Sequence, residues 1–128
     1  MNQGDIGKIG EDFCCNYFKK RGFFILERNY HSRNGEIDLI VENENFLVFV
    51  EVKTRSDKKI GEARDAVDYS KQRKIALTAI KYLSENGMRK QPRFDVFEVL
   101  HHNGKIFKFN HIENAFQYDE SFGGKSNC

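Results

Sequence analysis

Charged side chains interrupt two apolar runs: Asp38 stands within Ile37-Asp38-Leu39-Ile40-Val41, and Glu51 and Lys53 close the run Val48-Phe49-Val50-Glu51-Val52-Lys53. Runs of this composition read as sheet strands, where a charge is costly to leave unpaired. Such a cost points to a metal or to a reaction. The polar stretch Asn43-Glu44-Asn45 between the runs makes them a hairpin. If its turn is the two residues Glu44-Asn45, Asn43 faces Phe46 and Asp38 falls opposite Glu51, on one face of the sheet. Period-two alternation brings Lys53 to that face and puts Glu36 on it one step before Asp38. A slip of one residue would send Asp38 to the other face. The even-length turn is the expectation on which the site depends.

A chain of 128 residues suits one domain with its own core. Residues 1–118 are expected to form it, and 119–128, rich in Gly, Ser and charge, to be a flexible tail. No apolar run approaches the roughly 20 residues that span a bilayer, and the start Met1-Asn2-Gln3-Gly4-Asp5 lacks the pattern of a signal peptide. The expected location is the cytoplasm. Cys14, Cys15 and Cys128 include no Cys-x-x-Cys pair, so a zinc site or disulfide framework is not indicated, and Cys14 and Cys15 read as helix packing residues. His31, His101, His102 and His111 are expected to face solvent. Formal net charge is only +2, yet residues 53–93 hold 12 of the 21 basic side chains and 5 of the 19 acidic ones. A positive segment that begins at a carboxylate cluster suits a polyanion held against a bound cation.

Helical spacing of Ile6, Ile9, Phe13 and Tyr17 predicts a helix over residues 5–21, with Asp5 as its cap and Gly22 as its stop. Glu11 lies on it. A strand over 23–28 leads through a turn-rich connection into the hairpin. After Lys53 the polar stretch 54–61 reads as a mobile loop beside the site. A second helix, 68–85, is signalled by Ile75, Ala76, Ala79, Ile80 and Leu83. Strands follow over 94–100 and 106–112, joined at Asn103-Gly104. Because the fourth strand returns after a helix, it should lie parallel to the third. The expected architecture is α/β, a mixed five-stranded sheet flanked by helices. Phe46, Phe49, Phe94, Phe97, Phe107 and Phe109 read as core and edge packing, and Asp95 as a structural acid paired with a base from the crossover helix.

An acid followed on the next strand by Glu-x-Lys resembles the signature of the PD-(D/E)XK nuclease superfamily, with Ile37-Asp38 in place of Pro-Asp and Glu51-Val52-Lys53 as the second element. Further matching residues are Gly10-Glu11, Asn29, residues 35–40, residues 48–55, Lys71-Gln72 and Arg93-Phe94-Asp95-Val96. Together they resemble the bacterial YraN family of small proteins over roughly residues 4–100. That resemblance implies a restriction-endonuclease-like fold, similar in organisation to archaeal Holliday-junction resolvases. It also implies a polar role at the phosphate or the nucleophile for Lys71 and Gln72.

The residue chemistry points the same way. Hard carboxylate oxygens on an open site favour Mg²⁺ or Mn²⁺, with Asp38 and Glu51 as ligands, the Val52 carbonyl beside them, and Glu11 reaching in through a water. Such an ion can polarise a phosphoryl oxygen and activate water, while Lys53 stabilises developing charge. Arg55, Lys58, Lys59, Lys71, Arg73 and Lys74 are candidates for contacts to a nucleic-acid backbone. The expected activity is endonucleolytic hydrolysis of DNA, including branched or structured DNA. A homodimer is expected, because two symmetric cuts need a twofold pair. Three other readings compete: a non-catalytic nucleic-acid-binding subunit that keeps the fold, a protein interaction module with no nucleic-acid role, and a cross-strand salt-bridge cluster without chemistry.

Overall fold

The Asn43 side chain closes the central hairpin: its Oδ1 accepts the N–H groups of Asn45 at 2.9 Å and Phe46 at 2.8 Å, while the Asn43 N–H donates to the Phe46 carbonyl at 3.1 Å. Only two residues therefore make the turn. The computed structural model describes residues 2–56, 67–87 and 90–119. In chain order the elements are α1 (Gln3–Lys20), β1 (Phe24–Ser32), β2 (Gly35–Glu42), β3 (Phe46–Ser56), α2 (Tyr69–Asn86), β4 (Gln91–His102) and β5 (Lys105–Phe116). The strands form one sheet in the order β1-β2-β3-β4-β5. β3 and β4 run parallel, as a connection through a helix requires, and the other neighbours are antiparallel. This is a restriction-endonuclease-like α/β fold.

Each helix covers a different set of sheet side chains. Cys14, Cys15 and Phe18 of α1 pack with Leu39, Val41, Val48, Val50, Phe97 and Val99. On the other side Ile75, Ala76, Ala79 and Tyr82 of α2 meet Ile37, Ile40, Leu47, Phe49 and Phe94. Burial pushes the Cys14 thiol far up, which keeps it protonated and inert. No helix among the described residues is long and apolar enough to cross a membrane.

Several local expectations are corrected. α1 starts earlier than the apolar spacing suggested, because Asn2 caps it by accepting the Asp5 N–H at 2.9 Å. Asp68 caps α2 by accepting the Lys71 N–H at 2.9 Å. β1, β4 and β5 all extend beyond their apolar runs, because ladder hydrogen bonds continue through polar residues. His101 and His111 do not face solvent: His101 is buried and accepts the Gly104 N–H, and His111 joins a buried network. Asp95 takes its bases from its own strand and from β5 rather than from the crossover helix. Phe107 and Phe109 are edge residues about half exposed. The expected loop 54–61 is corrected at its start, since Thr54, Arg55 and Ser56 continue β3 in its pairing with β4; its remainder, with Lys58 and Lys59, and the tail from residue 120 lie outside the described residues.

At Gly10, α1 passes close against Thr54 of β3. A Cβ there would run into the Thr54 hydroxyl and stand 3.1 Å from its Cβ and 3.2 Å from its Cγ2. Gly10→Ala therefore destabilises the protein by about 1–3 kcal/mol through overpacking, even though alanine gains about 1 kcal/mol in helix propensity. Urea denaturation reads the sign directly, and an unchanged or raised midpoint would refute this contact.

Candidate metal centre

The β2–β3 pairs Leu39↔Val50, Ile40↔Phe49, Val41↔Val48 and Glu42↔Leu47 follow the register set by the two-residue turn. The ladder stops one pair short of Asp38 and Glu51. In its place the Asp38 carboxylate accepts the Val52 N–H at 2.7 Å, so it reaches toward β3 where the strands part. Glu51 is 5% exposed. Two ammonium groups converge on its Oε2: Lys53 at 3.3 Å and Lys71 of α2 at 3.3 Å.

Asp38 is half-buried. Its carboxyl is pushed up to about 7, first by burial, then by the charge of Glu51, with Glu11 and Glu36 adding to it, against the Val52 hydrogen bond. Two acids whose mutual repulsion keeps one near neutrality at pH 7 resemble the carboxylate pairs of catalytic sites.

Glu11 stands at the edge of the cluster. Its Oε1 accepts from the Asn29 amide at 3.4 Å and lies 3.7 Å from the Arg28 guanidinium. Arg28 is also bound to Asp12 at 2.8 Å. Among the described residues no three His, Cys, Asp or Glu side chains stand close enough to hold a metal by themselves. The candidate acidic donors are Asp38 and Glu51, with Glu11 beside them, held by Asn29 and Arg28 of β1. Two acidic oxygen donors in mutual repulsion suit a hard divalent cation.

The remaining expected residues divide clearly. Lys71 enters the acid cluster rather than standing out for a nucleic-acid backbone. Gln72 does not, since its Nε2 donates to the Val67 carbonyl at 3.1 Å. Glu36 is exposed and 3.3 Å from His31 across β1 and β2, and it reaches Asp38 only through its charge. Arg73 and Lys74 lie exposed on α2. Arg55 is half-buried on β3, and its Nε is buried without a hydrogen-bond partner among the described residues. The Lys71–Glu51 pair was missed because helix-to-strand proximity has no local sequence signal; an ordered Lys-Gln at the start of a basic helix was the only hint.

On the α1 side, Asp95 is 1% exposed. Arg93 grips it through Nε at 2.9 Å and Nη2 at 2.8 Å. His111 Nε2 lies 2.7 Å from it, and the Asn114 N–H donates at 3.0 Å. The acid accepts from Nε2–H, so in a neutral ring Nδ1 accepts from the Tyr17 hydroxyl at 2.9 Å. Burial alone would push the Asp95 carboxyl up, but the hydrogen bonds from His111, Arg93 and Asn114 hold it below its ordinary value.

The model of "Uncharacterised protein family UPF0102" matches residues 10–99, a span that includes Glu11, Asp38, Glu51, Lys53 and Lys71. The UPF0102 protein of Dictyoglomus thermophilum is 43% identical over 118 residues, covering 91% of this chain and 100% of its own length. Its counterpart from Caldanaerobacter subterraneus subsp. tengcongensis is 43% identical, covering 91% of this chain and 98% of its own. One from Alkaliphilus oremlandii is 45% identical over 87% of this chain and 97% of its own. A full-domain match to the family model and near end-to-end similarity to these relatives agree: the chain belongs to the UPF0102 family, also called the YraN family.

Proposed function

We propose that this protein is a divalent-metal-dependent endonuclease that hydrolyses phosphodiester bonds in DNA. The observation that carries this reading is the convergence of Asp38, Glu51, Lys53 and Lys71 at the point where β2 and β3 part. A salt-bridge cluster without chemistry would leave no acid burdened, whereas Asp38 is driven toward neutrality by its burial and by the charge of Glu51.

Asp38 and Glu51 would hold a Mg²⁺ or Mn²⁺ ion, which supplies Lewis-acid polarisation of a phosphoryl oxygen and lowers the pKa of a water. Both lysines lie on Glu51, so each is placed to turn its ammonium to a scissile phosphate brought against that acid. Lys53, two residues beyond Glu51 on the same strand, stabilises the charge that develops on the phosphate. Lys71 approaches from the helix and holds the neighbouring phosphate oxygen in place. Arg73 and Lys74, exposed on the same helix, contact the flanking backbone without reading sequence.

The test is incubation of the purified protein with duplex, single-stranded and four-way-branched DNA in Mg²⁺, Mn²⁺ or EDTA. Cleavage is expected with either ion and none in EDTA. Glu51→Ala should lower the rate by about 10³-fold, equivalent to about 4 kcal/mol of barrier. Equal cutting by the mutant would reject the assignment. Salt-sensitive binding without metal-dependent cutting would support a non-catalytic nucleic-acid-binding subunit instead.

A further inference from the structure

Asn29 has a left-handed backbone, φ 54°, in the middle of β1. Left-handed geometry is sparsely allowed for residues with a Cβ, and Asn tolerates it best. Here it coincides with an unpaired position in the ladder, across which the register is unchanged. The β1–β2 partners step from Arg28↔Leu39 to Tyr30↔Ile37 without an Asn29↔Asp38 pair. The position opposite Asn29 is thus the proposed metal ligand.

Both strands change faces at that position. In β2, Ile37 belongs to the core under α2, Leu39 to the core under α1, and Ile40 again to that under α2. Strict alternation would give Ile37 and Leu39 the same side. In β1, consecutive Arg28 and Asn29 both reach α1, through Asp12 and Glu11, whereas Tyr30 turns to α2, where its hydroxyl donates to Glu85 and its ring meets Tyr82. The left-handed residue thus coincides with a change of face in both strands. At the crossover the Asp38 carboxylate is free of either core and takes the Val52 N–H.

From this coincidence we infer that Asn29 is a positioning residue for the metal centre: its backbone conformation aims Asp38, and its amide holds Glu11 beside it. The inference rests on the functional reading above only for its metal-binding consequence. Its two parts are separable, because glycine adopts the left-handed conformation freely and carries no amide, whereas alanine lacks the amide and resists the conformation.

The experiment compares the unmodified protein with Asn29→Gly and Asn29→Ala by two measurements. The first is amide hydrogen exchange at Val52 without metal, which reports the Asp38 hydrogen bond whether or not the protein is a nuclease. Asn29→Ala should exchange about tenfold faster at Val52, with β4 and α2 amides unchanged as a check on folding, and Asn29→Gly should match the unmodified protein. The second is Mn²⁺ titration by calorimetry. Both variants should bind about 10–100-fold more weakly, Asn29→Gly through the loss of Glu11's partner alone. Val52 protection that is the same in all three proteins overturns the inference. Absence of Mn²⁺ uptake by the unmodified protein overturns the functional reading, and the exchange data still decide whether Asn29 aims Asp38.

Discussion

Asp38→Asn stabilises the metal-free protein at pH 8 while abolishing cleavage. The folded-state carboxyl titrates at about 7, against 3.8 for its unperturbed value. A raised pKa means that the folded state holds the proton more tightly than the unfolded chain. Its contribution to stability is therefore complete below about pH 4 and is lost as pH rises through 7. Across that window the unmodified protein loses about 2–4 kcal/mol from this group. Asparagine stays neutral and its Oδ1 can still accept the Val52 N–H, so the variant keeps that stability at all pH values. Melting curves between pH 4 and 8 should diverge, with the variant higher by several degrees at pH 8 and equal at pH 4. Curves that run parallel would show that Asp38 carries no electrostatic burden. Mn²⁺ should raise the melting temperature of the unmodified protein alone, since only it binds the ion in the folded state. The stability cost and the activity then have one source: an acid kept buried and close to another acid until a cation arrives.

Asp95→Ala has the largest expected effect on folding, a loss of about 3–5 kcal/mol. Removing the carboxylate leaves the Arg93 guanidinium buried without its bidentate partner and strips acceptors from His111 and the Asn114 N–H. Against a total stability of about 5–15 kcal/mol for a typical domain, much of the population unfolds near 37 °C. Equilibrium urea unfolding measures the effect. Because the Asp95 carboxyl is held low, its contribution is present above about pH 4 and is lost as pH falls further, the opposite sign to Asp38. A loss below about 1 kcal/mol would show that the network is not needed for folding.

The two acids were not equally legible in the sequence. Asp38 and Glu51 announce themselves because each breaks an apolar run, and a two-residue turn between them fixes the register. Asp95 breaks an apolar run too, in Phe94-Asp95-Val96-Phe97, yet nothing local distinguishes a structural acid from a chemical one. Its partners Arg93, His111 and Asn114 come from two strands and its indirect partner Tyr17 from α1. Similarly, His111 resembles any edge-strand histidine until α1 and β4 enclose it.

Alternation of apolar and charged side chains, a turn of fixed length and a helix between β3 and β4 were enough to specify the sheet, its parallel pair and the facing acids. Those are short-range properties, governed by the pleat and by chain connectivity. Which ammonium reaches Glu51, that Gln72 turns back to Val67, that Glu11 is tied to β1, and that the strand faces change at Asn29 were decided only when helices packed on both sides. Each depends on distances between segments far apart along the chain, and no local pattern encodes them.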